Sequence, residues 1–326
     1  MRKIVTALFI GAISITALLT LRAFVDVMFY DIDLPRNEDT YKTKQRLVLI
    51  TDQMGTPFFD AVIKGAMTEA NERDVTLEVL GYQNQNEEAL FNDLERSIYA
   101  KVDGIIVQGK DTEVFKELTK VKAAFYSIPV VTIAEDVPIE ESLRRTYVGS
   151  NHYKMGQTLA HVVTEDYKRS ETIVVYYDET MPYYQQERLR GVEEVFAATA
   201  LEIIKVPLPP SIDEAVLHTQ TALNKYPSFD AVVMLDATLS PVVMNEIKRR
   251  RQIEPLGIYT FDEQRDLNEL LANGEIDALI KQSPEKMGAL SVEVLSEWIN
   301  NERDYLEFAG YLTPFSVERG ESHAQN

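Results

Sequence analysis

Two phenyl rings and a hydroxyl stand side by side at Thr56-Pro57-Phe58-Phe59, directly after the apolar run Leu47-Val48-Leu49-Ile50. Leu47 to Thr51 reads as a short buried strand; Thr56 can cap the helix that follows, and Pro57 suits its first turn. Phe59, Val62, Ile63, Ala66 and Ala70 then trace an apolar helical face. Strand-to-helix turns are where open α/β sheets bind small molecules, so the rings either line a ligand cleft or pack on their own sheet. Covalent chemistry finds no comparable foothold. The four histidines, His152, His161, His218 and His323, have no metal-site spacing, and there is neither a Gly-x-Ser-x-Gly elbow nor a phosphate-cradling glycine loop. With 52 acids in the chain, two carboxylates close in sequence are no sign of acid-base catalysis. What remains is recognition: a binding protein with no cofactor, no metal and no catalytic residue, not an enzyme.

Composition narrows the partner. A net charge of -19 over 326 residues lacks the basic footprint that nucleic acid or an anionic lipid surface requires. The one basic run, Lys248 to Arg251, falls at the end of the helix begun near Ser240, where cations complement the helix dipole. The absence of cysteine removes disulfides, thiolate metal sites, a cysteine nucleophile and a lipid-modified N-terminal cysteine together. Between Arg2-Lys3 and the acidic stretch Asp26 to Asp33, Ile4 to Leu21 is a run of 18 residues without a charge, about 27 Å as a helix and nearly a bilayer's span. No good small-x-small cleavage site follows. The run reads as an uncleaved, single-pass anchor in the cell membrane, with Arg2 and Lys3 inside and the bulk of the chain extracytoplasmic; a cleaved signal peptide is the alternative.

The elements that must position a site come next. Residues 1–30 form the anchor and 31–45 a polar linker. Beyond them, short apolar runs at Leu47-Thr51, Thr76-Leu80, Gly104-Val107, Val130-Ile133, Thr172-Tyr177, Ile203-Val206, Ala231-Leu235, Leu256-Thr260 and Ala278-Lys281 alternate with amphipathic segments of helical period. This succession predicts an α/β fold with parallel sheets covered by helices. Nine strands are many for one sheet, and the units beginning at Leu47 and Thr172 repeat one order of elements. Two doubly wound lobes follow, joined by a multi-segment hinge. The N-terminal lobe takes 46–149 with 283–310, the C-terminal lobe takes 150–282 with 311–316, and 317–326 is a polar tail.

Seven motifs recur in a fixed order. The first half has Ile50 to Phe59, Val102-Asp103-Gly104-Ile105-Ile106-Val107, and Ile128-Pro129-Val130-Val131-Thr132-Ile133. The second half has Gln186-Glu187-Arg188-Leu189-Arg190-Gly191, Met234-Leu235-Asp236, Tyr259-Thr260-Phe261-Asp262, and Ile280-Lys281-Gln282-Ser283-Pro284. Together they resemble the ribose- and galactose-type members of the type I periplasmic sugar-binding protein family, from about Arg46 to Tyr311. The resemblance implies that Asp52 and Thr56 hydrogen-bond sugar hydroxyls, that Phe58 and Phe59 pack on the pyranose faces, and that Arg188 donates to ring and hydroxyl oxygens. It also assigns Asp236, Asp262 and Gln282 to the site. The chemistry is consistent, because a sugar ring offers apolar C–H faces to aromatics and a polar rim to carboxylates, amides and guanidinium. An Asp-Arg pair that the family commonly carries is absent; Ala134-Glu135-Asp136 stands there, which brings Glu135 and Asp136 into the set. One arginine then faces five carboxylates, an acidic pocket that accepts neutral polyols and repels anions. The family closes on its ligand like a hinge. An anchored member suits signalling to a membrane sensor histidine kinase, with the permease of a sugar ABC importer as the alternative partner.

Overall fold

The computed structural model describes residues 11, 13–24, 44–83, 86–168, 171–238, 240–250, 256–262 and 265–320. The chain divides into two units, Met1–Thr43 and Lys44–Asn326. In the first unit, residues 13–24 are helical, and Ile13, Ile15, Leu18, Leu19, Leu21 and Phe24 each expose more than half of their surface. Much of the expected anchor over Ile4 to Leu21, and most of the linker, lie outside the described residues. Among the described residues no helix is long and apolar enough to cross a membrane.

The second unit is built on two six-stranded sheets. The first contains β1 (Arg46–Thr51), β2 (Thr76–Gly81), β3 (Gly104–Gln108), β4 (Val130–Ile133), β5 (Thr146–Gly149) and β11 (Tyr311–Leu312), in the order β11-β5-β4-β3-β1-β2. The second contains β6 (Thr172–Asp178), β7 (Glu202–Leu208), β8 (Ala231–Met234), β9 (Gly257–Phe261), β10 (Ala278–Lys281) and β12 (Ser316–Arg319), in the order β12-β10-β9-β8-β6-β7. Neighbours run parallel throughout, except that β12 is antiparallel to β10. Position for position the two orders are the same, as the repeat from Leu47 and Thr172 anticipates. Central strands are apolar on both faces: Leu47 to Ile50 and Ala231 to Met234 are all buried, as a parallel sheet covered by helices on both sides requires.

The covering helices are α1 (Pro57–Glu72), α2 (Glu87–Tyr99), α3 (Glu113–Glu117, running on into a π-helical stretch over Leu118–Ala123), α4 (His152–Asp166), α5 (Tyr183–Phe196), α6 (Ile212–Lys225), α7 (Ser240–Arg250), α8 (Arg265–Ala272) and α9 (Pro284–Ile299). Lys248, Arg249 and Arg250 close α7 from exposed positions and bond Glu275, Glu246 and Asn224. Helix α9 returns late in the chain to the first sheet, where Met287, Val292 and Leu295 share a core with Leu47, Val62 and Ile106. It meets α1 backbone to backbone. A Cβ on Gly288 would lie 1.9 Å from Val62 O, and one on Gly65 1.9 Å from Glu285 O. The second lobe repeats the device between α4 and α5, where a Cβ on Gly156 would lie 2.1 Å from Arg188 O and one on Gly191 2.2 Å from Tyr153 O.

Three strands have no counterpart among the nine expected runs. β5 falls where the sequence reads only a break near Gly149. β11 extends the first sheet, which corrects the assignment of 311–312 to the C-terminal lobe. β12, expected to fall partly in the tail, is an edge strand of the second sheet, with Lys281 and Glu318 paired at 2.8 Å. All three are two to four residues long, too short to carry a periodic apolar signal. With them in place the chain passes between lobes three times, after Gly149, after Lys281 and after Leu312.

Alanine normally stabilises a helix interior relative to glycine by up to about 1 kcal/mol. At Gly288 a methyl group has no room beside a carbonyl oxygen, and parting two helices outweighs that gain. Gly288→Ala is expected to destabilise by about 1–3 kcal/mol in urea unfolding; an unchanged or raised midpoint would contradict the close approach.

Candidate ligand-binding site

Charged and aromatic side chains gather at the carboxyl ends of both sheets. In the second lobe the central group is Arg188 of α5, which is 1% exposed. Its Nη1 donates to Leu235 O at 2.7 Å and its Nη2 to Asp262 Oδ2 at 2.6 Å. Its guanidinium lies 5.0 Å from the Tyr184 ring centre and 4.5 Å from that of Phe261. A planar, weakly hydrated cation is the one that can fork and stack in this way while buried. Asp262 ends β9 in a left-handed turn with φ of 66°, which aspartate tolerates, and Gln282 Nε2 donates to its Oδ1. Asp236, just past β8, accepts from Tyr184 Oη at 2.5 Å and from the Thr238 N–H at 2.6 Å. Buried Gln185 accepts from the Asp178 N–H at 2.9 Å and donates to Tyr184 Oη at 3.1 Å. The structure thus joins Arg188, Asp262 and Gln282 directly, with Asp236 linked to them through Tyr184.

In the first lobe, Asp52 follows β1 and is wholly buried, and Glu135 follows β4. Gln108, at the end of β3, accepts from Thr51 Oγ1 at 2.7 Å and from the Asp52 N–H at 3.2 Å, and donates to Glu135 Oε1 at 2.7 Å. Lys110 Nζ sits between the carboxylates, 3.2 Å from Asp52 Oδ2 and 3.3 Å from Glu135 Oε2. Burial pushes the Glu135 carboxyl up against the pull of Lys110. Burial also opposes a charged Lys110, but Glu135 and Asp52 outweigh it and leave the ammonium harder to deprotonate.

Several expected ligand groups are already committed. Thr56 Oγ1 donates to Gln53 O at 2.9 Å and accepts from the Phe59 N–H at 3.3 Å, so it caps α1 rather than reaching outward. Asp136 accepts from Thr132 Oγ1 at 2.6 Å and from buried Arg144 at 2.6 Å, while Arg144 also donates to Phe308 O at 3.0 Å. Phe59 is 2% exposed and belongs to the core of the first lobe. Only Phe58, its ring centre 5.3 Å away, is half-buried and able to present a face. Consecutive helical residues point about 100° apart, which sets Phe59 against the core and Phe58 at its margin.

Sequence reasoning misses Lys110 and Arg144. With them the five carboxylates Asp52, Glu135, Asp136, Asp236 and Asp262 are set against three cations, so the site is less acidic than expected. Lys110 has a readable signal, since it lies two residues past the carboxyl end of an apolar strand. Arg144 has none: it meets Asp136 eight residues back along an irregular segment.

Between the lobes lies His152, the first residue of α4. Its Nε2 bonds Ala134 O at 3.0 Å and lies 3.3 Å from Tyr147 Oη, and its ring centre is 5.6 Å from that of Tyr184. Ala134 has φ of 63°, the same left-handed turn after β4 that Asp262 makes after β9, in a region where alanine is strained. Burial, with Arg188 nearby, pushes His152 down to about 3. Asp52 Oδ1, Arg188 Nε and Gln282 Oε1 are all buried without a hydrogen-bond partner. Buried polar atoms are nearly always satisfied, and these three offer a carboxylate, a guanidinium and an amide, the types that match hydroxyl groups.

Comparison with known proteins is consistent across sequence and fold. Residues 47–303 match the family described as periplasmic binding protein domain. The ribose import binding protein RbsB of Bacillus subtilis strain 168 is 23% identical over 260 residues, 78% of this chain and 82% of that protein. RbsB of Escherichia coli K12 is 20% identical over 263 residues, 80% of this chain and 86% of that protein. GanP, a glucose-galactose binding protein from Geobacillus stearothermophilus, superposes with a TM-score of 0.78 at 26% identity, covering 87% of this chain and 100% of that one. A chain of the XylFII-LytSN complex is similar in fold, with a TM-score of 0.73 at 24% identity over 85% of this chain and 98% of that one.

The geometry around His152 sets a pH dependence. Its folded pKa lies below its ordinary value of 6.5, so as pH falls through 6.5 the unfolded chain takes up a proton that the folded chain refuses. Stability is then lost towards about pH 3, by at most about 1.4 kcal/mol per pH unit from this group. His152→Gln should flatten the fall in Tm between about pH 6.5 and 4.5 relative to the parent protein; parallel curves would remove His152 from the account.

Proposed function

The chain belongs to the periplasmic binding protein domain family, and from that premise we propose that it binds a monosaccharide or similar polyol between its lobes, outside the cytoplasm, and closes on it. The proteins it is similar to are sugar-binding proteins, not enzymes. The observation that carries the reading is the set of unpartnered atoms, Asp52 Oδ1, Arg188 Nε and Gln282 Oε1, contributed from both lobes, with the Tyr184 ring against Arg188 and Phe58 half-buried at the start of α1. Hydroxyls would satisfy those atoms, and the rings suit the C–H face of a sugar. Pairing of Lys110, Arg144 and Arg188 with carboxylates favours a neutral ligand.

The uncharged run Ile4 to Leu21 holds the protein to the cell membrane as a single-pass anchor. A tethered binding unit remains beside its partner, and ligand closure is the change that a partner such as a sensor histidine kinase would read. The likeness in fold to a chain of the XylFII-LytSN complex supports action through a second protein. The ribose import binding proteins at 20–23% identity favour a second reading, the substrate-binding component of a sugar ABC importer.

Calorimetric titration of the full chain in detergent against pentoses, hexoses and inositols is expected to find one ligand. Arg188→Ala and Asp262→Ala should each weaken it about 10- to 100-fold, the scale of hydrogen bonds to charged groups. No heat with any of these compounds would refute the reading, and unchanged affinity in both variants would move the site elsewhere. Deleting the gene separates the partners: loss of sugar-induced transcription with uptake intact marks a sensor, and loss of uptake marks an importer.

A further inference from the structure

The sheet order of the first lobe sets a carboxylate on either side of one lysine. β3 runs between β4 and β1, so Lys110, two residues past the end of β3, stands between Glu135 past β4 and Asp52 past β1. Its side chain is 10% exposed, and its ammonium reaches both acids. The adjoining Ala134 turn meets His152, whose ring lies beside Tyr184, so the cluster stands at the junction with the second lobe. Burial and Asp236 push the Tyr184 phenol up, and Glu135 adds to that push from across the junction.

The two carboxylates are not equally engaged. Gln108 accepts through Oε1 from Thr51 Oγ1 and the Asp52 N–H, which turns its amide nitrogen towards Glu135. Glu135 Oε1 also accepts from Gln53 Nε2 at 3.2 Å, so it holds two amide donors besides Lys110. Asp52 has the Lys110 ion pair, but among the described residues neither of its buried carboxylate oxygens has a hydrogen-bond partner. A buried carboxylate short of donors is a receptor for one. Two sugar groups supply a donor, a hydroxyl and the ammonium of an amino sugar, and the five carboxylates by themselves favour the ammonium. Lys110 reverses that preference. Its own ammonium fills the place between the acids, and a second one there would meet a like charge out of water.

We propose that Lys110 is the specificity-determining residue of the first lobe. It takes the place that a ligand ammonium would occupy, so Asp52 accepts a hydroxyl of a neutral sugar and amino sugars are excluded. Glu135 and Gln108 are positioning residues that hold it there. The proposal rests on the sugar-binding reading and narrows its ligand class.

The test titrates the full chain in detergent with D-glucose, D-galactose, D-xylose and D-ribose. It adds their monoamino analogues, an amine replacing each hydroxyl in turn, under conditions where the amines are protonated. The parent protein should bind one neutral sugar more tightly than any of its amino analogues. In Lys110→Met at least one analogue should gain about tenfold relative to that sugar, the scale of a hydrogen bond to a charged group. Because Lys110→Met leaves two buried acids without their cation, Lys110→Met combined with Glu135→Gln is measured beside it. That pair removes one charge of each sign and should show the same gain, which a further Asp52→Asn should abolish. An analogue-to-sugar ratio that neither variant changes would make Lys110 a structural cation only and overturn the proposal. A parent protein that prefers an amino analogue would also overturn it, and sugar binding would stand in both cases. No binding of any compound to the parent protein would overturn the sugar-binding reading, and this proposal with it.

Discussion

A guanidinium taken out of water costs several kcal/mol unless its charge and its N–H groups are met. Arg188 imposes that condition on the second lobe, and much of the local architecture is arranged around it. β8 ends so that Leu235 leaves a carbonyl free to accept, β9 ends in the left-handed turn that aims Asp262, and Tyr184 and Phe261 supply faces for the cation. The glycines belong to the same arrangement. Gly156 lets α4 approach the carbonyl of Arg188 itself, so the helix contact that fixes the lobe also fixes its cation.

The first lobe meets a related demand by different means. Lys110 is held by Asp52 and Glu135, and Arg144 by Asp136 and a backbone carbonyl. Each cation is paired before a ligand arrives. A neutral ligand can therefore bind without first breaking a charge pair, and little ordering is left to oppose association. His152 ties this arrangement to the other lobe, since one ring contacts both the Ala134 turn and Tyr184.

Much of this was legible in the amino-acid sequence, for reasons that differ by residue. Buried parallel strands are continuous apolar runs, and the repeat beginning at Leu47 and Thr172 has the same strand order in both sheets. Arg188, Asp262 and Gln282 could be expected together because their motifs place them at strand ends or helix starts, and they meet in space. Phe59 and Phe58 share a residue type, but the helical phase of Val62, Ala66 and Ala70 already puts Phe59 on the apolar face, and it is the ring that the core covers. Lys110 and Arg144 escape for another reason. Their roles arise from partners on other strands or on an irregular segment, and sequence spacing does not encode that distance. The short strands β5, β11 and β12 are too brief for their apolar pattern to stand out from turns.

The late return of α9 bears on how the protein is made. The first lobe's core needs Met287, Val292 and Leu295, whereas the buried cores of the second lobe lie within Met155 to Ile280, one uninterrupted stretch. A chain emerging from its N-terminus therefore has all the buried residues of its second lobe before it can complete the first. The lobe begun first is finished last, and until α9 arrives Gly65 has nothing to lie against. During synthesis the first lobe stays open to chaperones while the second can already condense.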